Sequence, residues 1–193
     1  KLQFISKNLI FSNSSEAVIF RKDNSKGIVL RGYSNKDFSD LEIINNENFF
    51  GEKNNLTQNN ISIGKELAFT LGLKIGDEIA IMSPSGIETI IGNLPKQKSF
   101  RVKSFFESGL ADFDNNIAFI NLDTFEEFFG KKSSDRNLEI FLKKPQNIEN
   151  QKKIVQQVFP NEFVYSWSDM NSSLFSALKV ERNVMFIILS LII

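Results

Sequence analysis

The feature that most constrains this chain is its last stretch, ERNVMFIILSLII. Glu181 and Arg182 are followed, from Val184 to Ile193, by a run in which Ser190 is the only polar side chain. A helix that is apolar all round belongs in lipid or fully enclosed within protein. Spanning a bilayer takes about 20 apolar residues, so on length alone the run suits a core helix. It carries no cap, no glycine and no polar tail, and it is read as the opening of a transmembrane helix, with a core helix or an interfacial segment as the alternative. Upstream, Ser168 is read as an N-cap with Asp169 behind it. Met170, Leu174, Phe175 and Leu178 recur at helical spacing. A continuous helix from Ser168 to Ile193, roughly 39 Å long at ~1.5 Å per residue, is expected. Lys179 and Arg182 flank the run, but large domains translocate regardless of charge, so sidedness stays open. The opening KLQFISKNLIF lacks the long apolar region and cleavage site of a signal peptide. An extracytoplasmic location would therefore require an export element before Lys1.

With 193 residues, 41% of them hydrophobic, the chain can build one domain with an insertion or two small lobes. Twenty Phe against one Trp and two Tyr point to cores built on phenylalanine. Lysine and asparagine are abundant and the net charge is zero, so nothing suggests nucleic acid. Having no His and no Cys, the chain cannot build Ser-His-Asp, Cys-His or histidine–zinc sites. No glycine-rich phosphate loop occurs either. The one carboxylate pair worth weighing, Asp112 and Asp114 in SGLADFDNN, reads more simply as a polar turn. A non-catalytic chain without a cofactor or metal is expected.

Two strands, Ala17–Arg21 and Gly27–Arg31, are expected around a turn at Asp23-Asn24-Ser25. The Asn-rich stretch that follows, as far as Asn60, reads as a linker. A helix over Gly64–Leu71, the tight turn GLKIGD and a strand Glu78–Met82 come next. In SFRVKSFFE, Phe100 and Val102 alternate with Arg101 and Lys103. NIAFINLDTFEEFFG reads as a strand and then a helix capped by Asn121 and stopped at Gly130. A β-α-β unit is expected from a strand Leu138–Leu142, a helix from about Asn147 to Pro160, and a strand Glu162–Tyr165.

Sixteen residues, SPSGIETIIGNLPKQK, separate Met82 from Ser99. Hairpin loops usually take about 2–5 residues, and loops beyond ~12–15 tend to be functional or disordered. This one carries Ile87, Ile90, Ile91 and Leu94, with Pro84, Gly86, Gly92 and Pro95 to set its turns. Apolar side chains on such an arm suit either a partner or a fold back onto the body. Lys96, Gln97 and Lys98 form a polar base that, taken alone, reads as solvated surface.

IGKELAFTLGLKIGDEIAIMSPSG, then GNLPKQKSFRVKSFFESGLADFDNNIAFI, and finally LFSALKVERNVMFIILSLII resemble the LolC/LolE lipoprotein-releasing permeases in order and spacing, over residues 61–193. Residues 1–60 match more loosely, through IVLRGYS. The resemblance implies an α+β fold of the MacB-like periplasmic kind. It comprises a porter-like lobe over residues 1–50 and 134–176, an inserted sabre-like β-rich lobe over 51–133, and the start of a second transmembrane helix over 177–193. It also implies an inner-membrane permease subunit with this domain in the periplasm, served by a separate LolD-like ATPase. A LolE-like subunit or a second copy would complete the permease, lipoproteins would be the cargo, and a LolA-like carrier would receive them. In the LolC-like pattern, arm 83–98 is a hook for that carrier. Ile87, Ile90, Ile91, Gly92, Asn93, Leu94 and Pro95 fall on it, with Gln97 and Lys98 on an adjacent pad. Two positions depart from the pattern: Ile90 replaces a second proline, and Ala80 lies near a further basic pad position. A MacB-like or FtsX-like efflux or mechanotransmission permease is the rival reading, since it shares lobes and rod but does not need the arm.

Overall fold

A computed structural model describes residues 2–22, 24–84, 87–89 and 92–192, with backbone alone for 87–89, 92–94 and 192. The strands are β1 (Ser6–Arg21), β2 (Asn24–Tyr33), β3 (Phe50–Gly51), β4 (Asn60–Gly64), β5 (Glu78–Met82), β6 (Ile87–Thr89), β7 (Gly92–Leu94), β8 (Gln97–Phe106), β9 (Ile117–Asn121) and β10 (Asn137–Leu142). The helices are α1 (Leu2–Ile5), α2 (Asn35–Ser39), α3 (Lys65–Leu71), α4 (Ala111–Asn116), α5 (Leu122–Phe129), α6 (Ile148–Val158), α7 (Trp167–Met170) and α8 (Ser172–Ile192). The result is the mixed α and β fold the sequence implies.

Two compact units form, one from Leu9–Glu139 and the other from Lys1–Asn8 with Ile140–Ile193. Within the larger unit a parallel ladder between β2 and β9 pairs Val29–Tyr33 with Ile117–Asn121.

The main sheet runs β10-β1-β2-β9-β4-β8-β3, and β5 pairs with both β1 and β8. The pairings β1–β2–β9–β4–β8–β5–β1 thus close a ring. Each of these strands turns two alternate side chains into one core: Ala17 and Ile19, Ile28 and Leu30, Ala118 and Ile120, Ile61 and Ile63, Phe100 and Val102, Ile79 and Ile81. Period-two alternation makes this possible, because i and i+2 share a face. Leu67 and Leu71 of α3 and Phe125 of α5 join the same cluster. Gly32 is what lets α5 approach, since a Cβ there would stand 2.8 Å from Phe125 Cβ.

A second core covers the opposite face. Phe119 and Phe106, Tyr33 and Ile10 leave the sheet on that side and meet Phe38, Leu41, Ile44 and Leu56. Ring centroids of Phe106 and Phe119 lie 4.7 Å apart, and those of Phe38 and Phe119 5.8 Å. Each core buries three phenylalanines, but the first buries seven isoleucines and the second only Ile10 and Ile44. A bulge makes the sharing possible. Ile61 faces Val102 but Ser62 faces Ser104, so Lys103 is extra and β8 reverses its alternation beyond it. Phe106 consequently points to the second core.

The stretch expected to be a linker supplies much of that core. Apart from the short β3–β8 pairing, asparagine amides hold much of its backbone. Asn35 Nδ2 donates to Asn54 O and Asn35 Oδ1 accepts from Leu56 N, while Asn45 Nδ2 donates to Ser39 O and Asn121 Nδ2 to Leu56 O. The stretch SGLADFDNN is not a turn alone but contains α4, and Asp114 is buried there with both carboxylate oxygens accepting from Ser108 N.

In the smaller unit, Glu162–Tyr165 is not a strand; Phe163 and Tyr165 are exposed and stack on each other at 6.3 Å. The helix expected to run unbroken from Ser168 is two: α7, capped by Ser166, ends at Asn171, and α8 begins at Ser172. From Ser172 to Leu191 it is exposed throughout, and Ile193 lies outside the described residues. Among the described residues no helix is long and apolar enough to cross a membrane.

Two substitutions test this packing. Gly32→Ala should cost about 1–3 kcal/mol in urea unfolding by forcing Phe125 away from β2; an unchanged midpoint would contradict the close approach. Ser62 Oγ is fully buried with no hydrogen-bond partner among the described residues. Ser62→Ala should therefore leave stability level or raise it by up to ~1 kcal/mol, because no bond is lost and an uncompensated hydroxyl is removed.

Candidate docking site

The arm grows out of the ring. Ile79 and Ile81 of β5 are buried while Glu78, Ala80 and Met82 face outward. The β5–β8 ladder pairs Glu78 with Arg101, Ile79 with Phe100, Ala80 with Ser99, Ile81 with Lys98 and Met82 with Gln97. One more bond, Ser83 N to Lys96 O at 2.9 Å, carries it past Gln97. The strand β8 therefore starts two residues earlier than the sequence suggests, and the connection is residues 83–96.

Within that connection lies a second, separate hairpin. Ile87 faces Leu94, Glu88 faces Asn93 and Thr89 faces Gly92 in an antiparallel ladder that is not part of the main sheet. Exposed Pro84 and Pro95 stand between the two ladders. Proline has no N–H to donate, so it ends one ladder and lets the other start afresh. The over-long loop is thus a two-storey hairpin, with the upper storey insulated from the lower.

Of the residues singled out, Ile87, Gly92, Asn93 and Leu94 lie on this upper ladder with their backbones placed. Ile90 and Ile91 lie outside the described residues. Pro95 and Gln97 are exposed at the root, and Lys98 is half-buried with its ammonium 5.8 Å from the centre of the Phe100 ring. Beside the root is an open depression of about 490 Å³ lined by Phe20, Lys22, Ala80, Met82, Gln97 and Ser99. It brings Gln97 and Ala80, which the sequence treats as parts of one pad, onto a common surface with the end of β1. Its lining mixes apolar Phe20, Ala80 and Met82 with polar Lys22, Gln97 and Ser99.

Other polar groups, not foreseen from the sequence, hold the frame in place. Arg21 closes the GLKIGD turn by donating to Leu71 O at 2.8 Å and to Asp77 Oδ2 at 2.6 Å. Glu139 gathers Ser12, Arg31 at 2.5 Å and the Tyr33 hydroxyl at 3.0 Å. Burial, ahead of the nearby charges, pushes the Tyr33 hydroxyl well above its ordinary range. The Arg-Gly pair in IVLRGYS is accounted for: Arg31 meets Glu139, and Gly32 admits Phe125. Glu126 takes two bonds from Arg136, at 2.6 and 2.9 Å. Among the described residues no group of acidic side chains is placed to hold a metal ion.

Arg136 donating to the carboxylate is the main reason Glu126 is held below its ordinary range. A carboxylate lowered on folding contributes stability above its unfolded value, and that contribution fades as pH falls through the folded value. The stability gap between the parent chain and Glu126→Gln should therefore be widest at neutral pH and close below about pH 4. A gap of equal size at pH 7 and pH 3 in thermal unfolding would exclude the pair as its source.

Comparison with known proteins follows the same outline. No family model matches the chain. It is 30% identical over 135 residues to the lipoprotein-releasing system transmembrane protein LolC of Xylella fastidiosa, covering 69% of this chain and 32% of that protein. LolC of Neisseria meningitidis serogroup B is 29% identical over 138 residues, with the same two shares. The chain spans about a third of the length of these curated relatives. The crystal structure of the periplasmic region of MacB from Actinobacillus actinomycetemcomitans superposes with a TM-score of 0.50 at 10% identity, covering 88% of this chain and 76% of that one. That likeness is one of fold.

Proposed function

This chain belongs to the family of LolC lipoprotein-releasing transmembrane proteins, and on that premise we propose that it is the periplasmic domain of an inner-membrane permease whose arm recruits a soluble, LolA-like lipoprotein carrier. A LolD-like ATPase supplies the energy, and a LolE-like subunit or a second copy completes the permease. Residues 177–193 begin its second transmembrane helix. The observation that supports the docking role most is the insulated hairpin: a ladder of its own, Ile87–Thr89 with Gly92–Leu94, set off by Pro84 and Pro95. Gln97 and the depression at the root give the carrier a second foothold. Main-chain edges of such a ladder offer hydrogen bonds, while the apolar residues along it supply burial.

Docking is a matter of surface complementarity and requires no chemistry from this chain, which is consistent with a sequence lacking histidine, cysteine and a nucleotide loop. Work against the membrane falls to the ATPase, and α8 is the element that carries motion between membrane and domain.

The test is a pull-down with purified LolA-type carrier. Removing residues 87–94 should weaken capture at least tenfold, about 1.4 kcal/mol, and changing Gln97 and Lys98 together to Ala should weaken it less. Undiminished capture by the deleted form, with its unfolding midpoint unchanged, would exclude the arm as the docking element.

A further inference from the structure

The helix α8 is exposed along all its described side chains from Ser172 to Leu191, so what holds it is found at its upper end. That end is built in two unlike halves on either side of Asn171. On the upstream side α7 is lashed down. Ser166 Oγ accepts from Asp169 N at 3.2 Å, and Asp169 Oδ2 accepts from Ser166 N at 2.8 Å and from Lys152 Nζ at 2.6 Å. Lys152 sits on α6, and Ser166 is buried, so α7 is tied to α6. The capping pair also satisfies N–H groups that a helix start leaves unmet.

At Asn171 the backbone leaves helical geometry, with φ −115° and ψ 37°. Its own N–H and its side-chain amide both donate to Trp167 O, at 3.0 and 2.9 Å. The backbone bond is the ordinary i→i−4 helical one; the side-chain bond to the same carbonyl is the local kind by which asparagine competes with a continuing helix. The next residues, Ser172 and Ser173, are modest helix formers, and Phe175 N to Asn171 O at 3.1 Å starts the new ladder. A ring contact spans the break, the Trp167 and Phe175 rings meeting edge to face with centroids 5.4 Å apart and planes at 80°.

We propose that Asn171 is a pivot: α8 swings about it as a rigid lever while α7 stays clamped to α6, and the Trp167–Phe175 contact sets the resting angle. Its use, carrying motion from the membrane to the domain, rests on the function proposed above; the pivot itself does not. Because the chain has no cysteine, spin labels can be placed uniquely by Gln157→Cys on α6 and Ser176→Cys on α8 in the full chain. The parent should give a distance distribution at least twice as wide as Asn171→Ala, which joins α7 to α8. Trp167→Ala should widen it further by removing the ring contact. A parent distribution already as narrow as that of Asn171→Ala, or one unchanged by Trp167→Ala, overturns the proposal. Carrier capture is measured separately, so failure of the pivot leaves the docking role standing.

Discussion

Three residue pairs, Val18 with Met82, Ile19 with Ile81 and Phe20 with Ala80, close the ring on which everything else in the larger unit depends. Without them β5 would be a flap on β8, and the isoleucines at 79 and 81 would have only half of their surroundings. Closure also removes two sheet edges that would otherwise stand open. The strand that completes the barrel is the same one that leads into the arm. The arm is therefore rooted where β5 and β8 pair Met82 with Gln97, one rung from the buried Ile81.

Much of this was legible where local chemistry and tertiary packing agree. Asn121 caps α5 and Gly130, in the left-handed region, ends it, as the sequence indicates. Gly72 plays the same part after α3, and the alternation in β8 foretells which face is buried. Legibility failed where packing overrides pattern. Strand β1 runs from Ser6, well before Ala17, yet SKNLIFSNSS shows little alternation because polar Ser12 and Asn13 are buried through bonds to Glu139 and Glu126. β4 is buried at every position, on both faces, so NISIG carries no period-two signature. The Asn-rich segment hid its apolar anchors, Phe38, Leu41, Ile44 and Leu56, among amides that serve as backbone partners. FVY in Glu162–Tyr165 is rich in strand-forming residues yet lies in no strand, since pairing needs a neighbouring edge as well as propensity.

For the candidate site the sequence revealed that the connection was too long and apolar, and the prolines at its ends were visible. It could not reveal that the prolines divide one hairpin into two ladders, nor that the end of β1 borders the pad. The first depends on register and the second on ring closure, both products of long-range pairing. Charge was equally opaque: Arg21, Arg31 and Arg136, three of the five arginines, are committed to holding turns and strands rather than to a partner.

The bulge at Lys103 has a bearing on how such a domain can diversify. By reversing the alternation of β8 midway, it lets one strand face an isoleucine interior at its start and a phenylalanine cluster at its finish. Phe100 and Val102 serve the first core and Phe106 the second, so substitutions at the two ends of β8 fall on different clusters. Insertions or losses of a single residue in β8 would be far less forgiving, since they would exchange the two faces and turn both interiors outward at once.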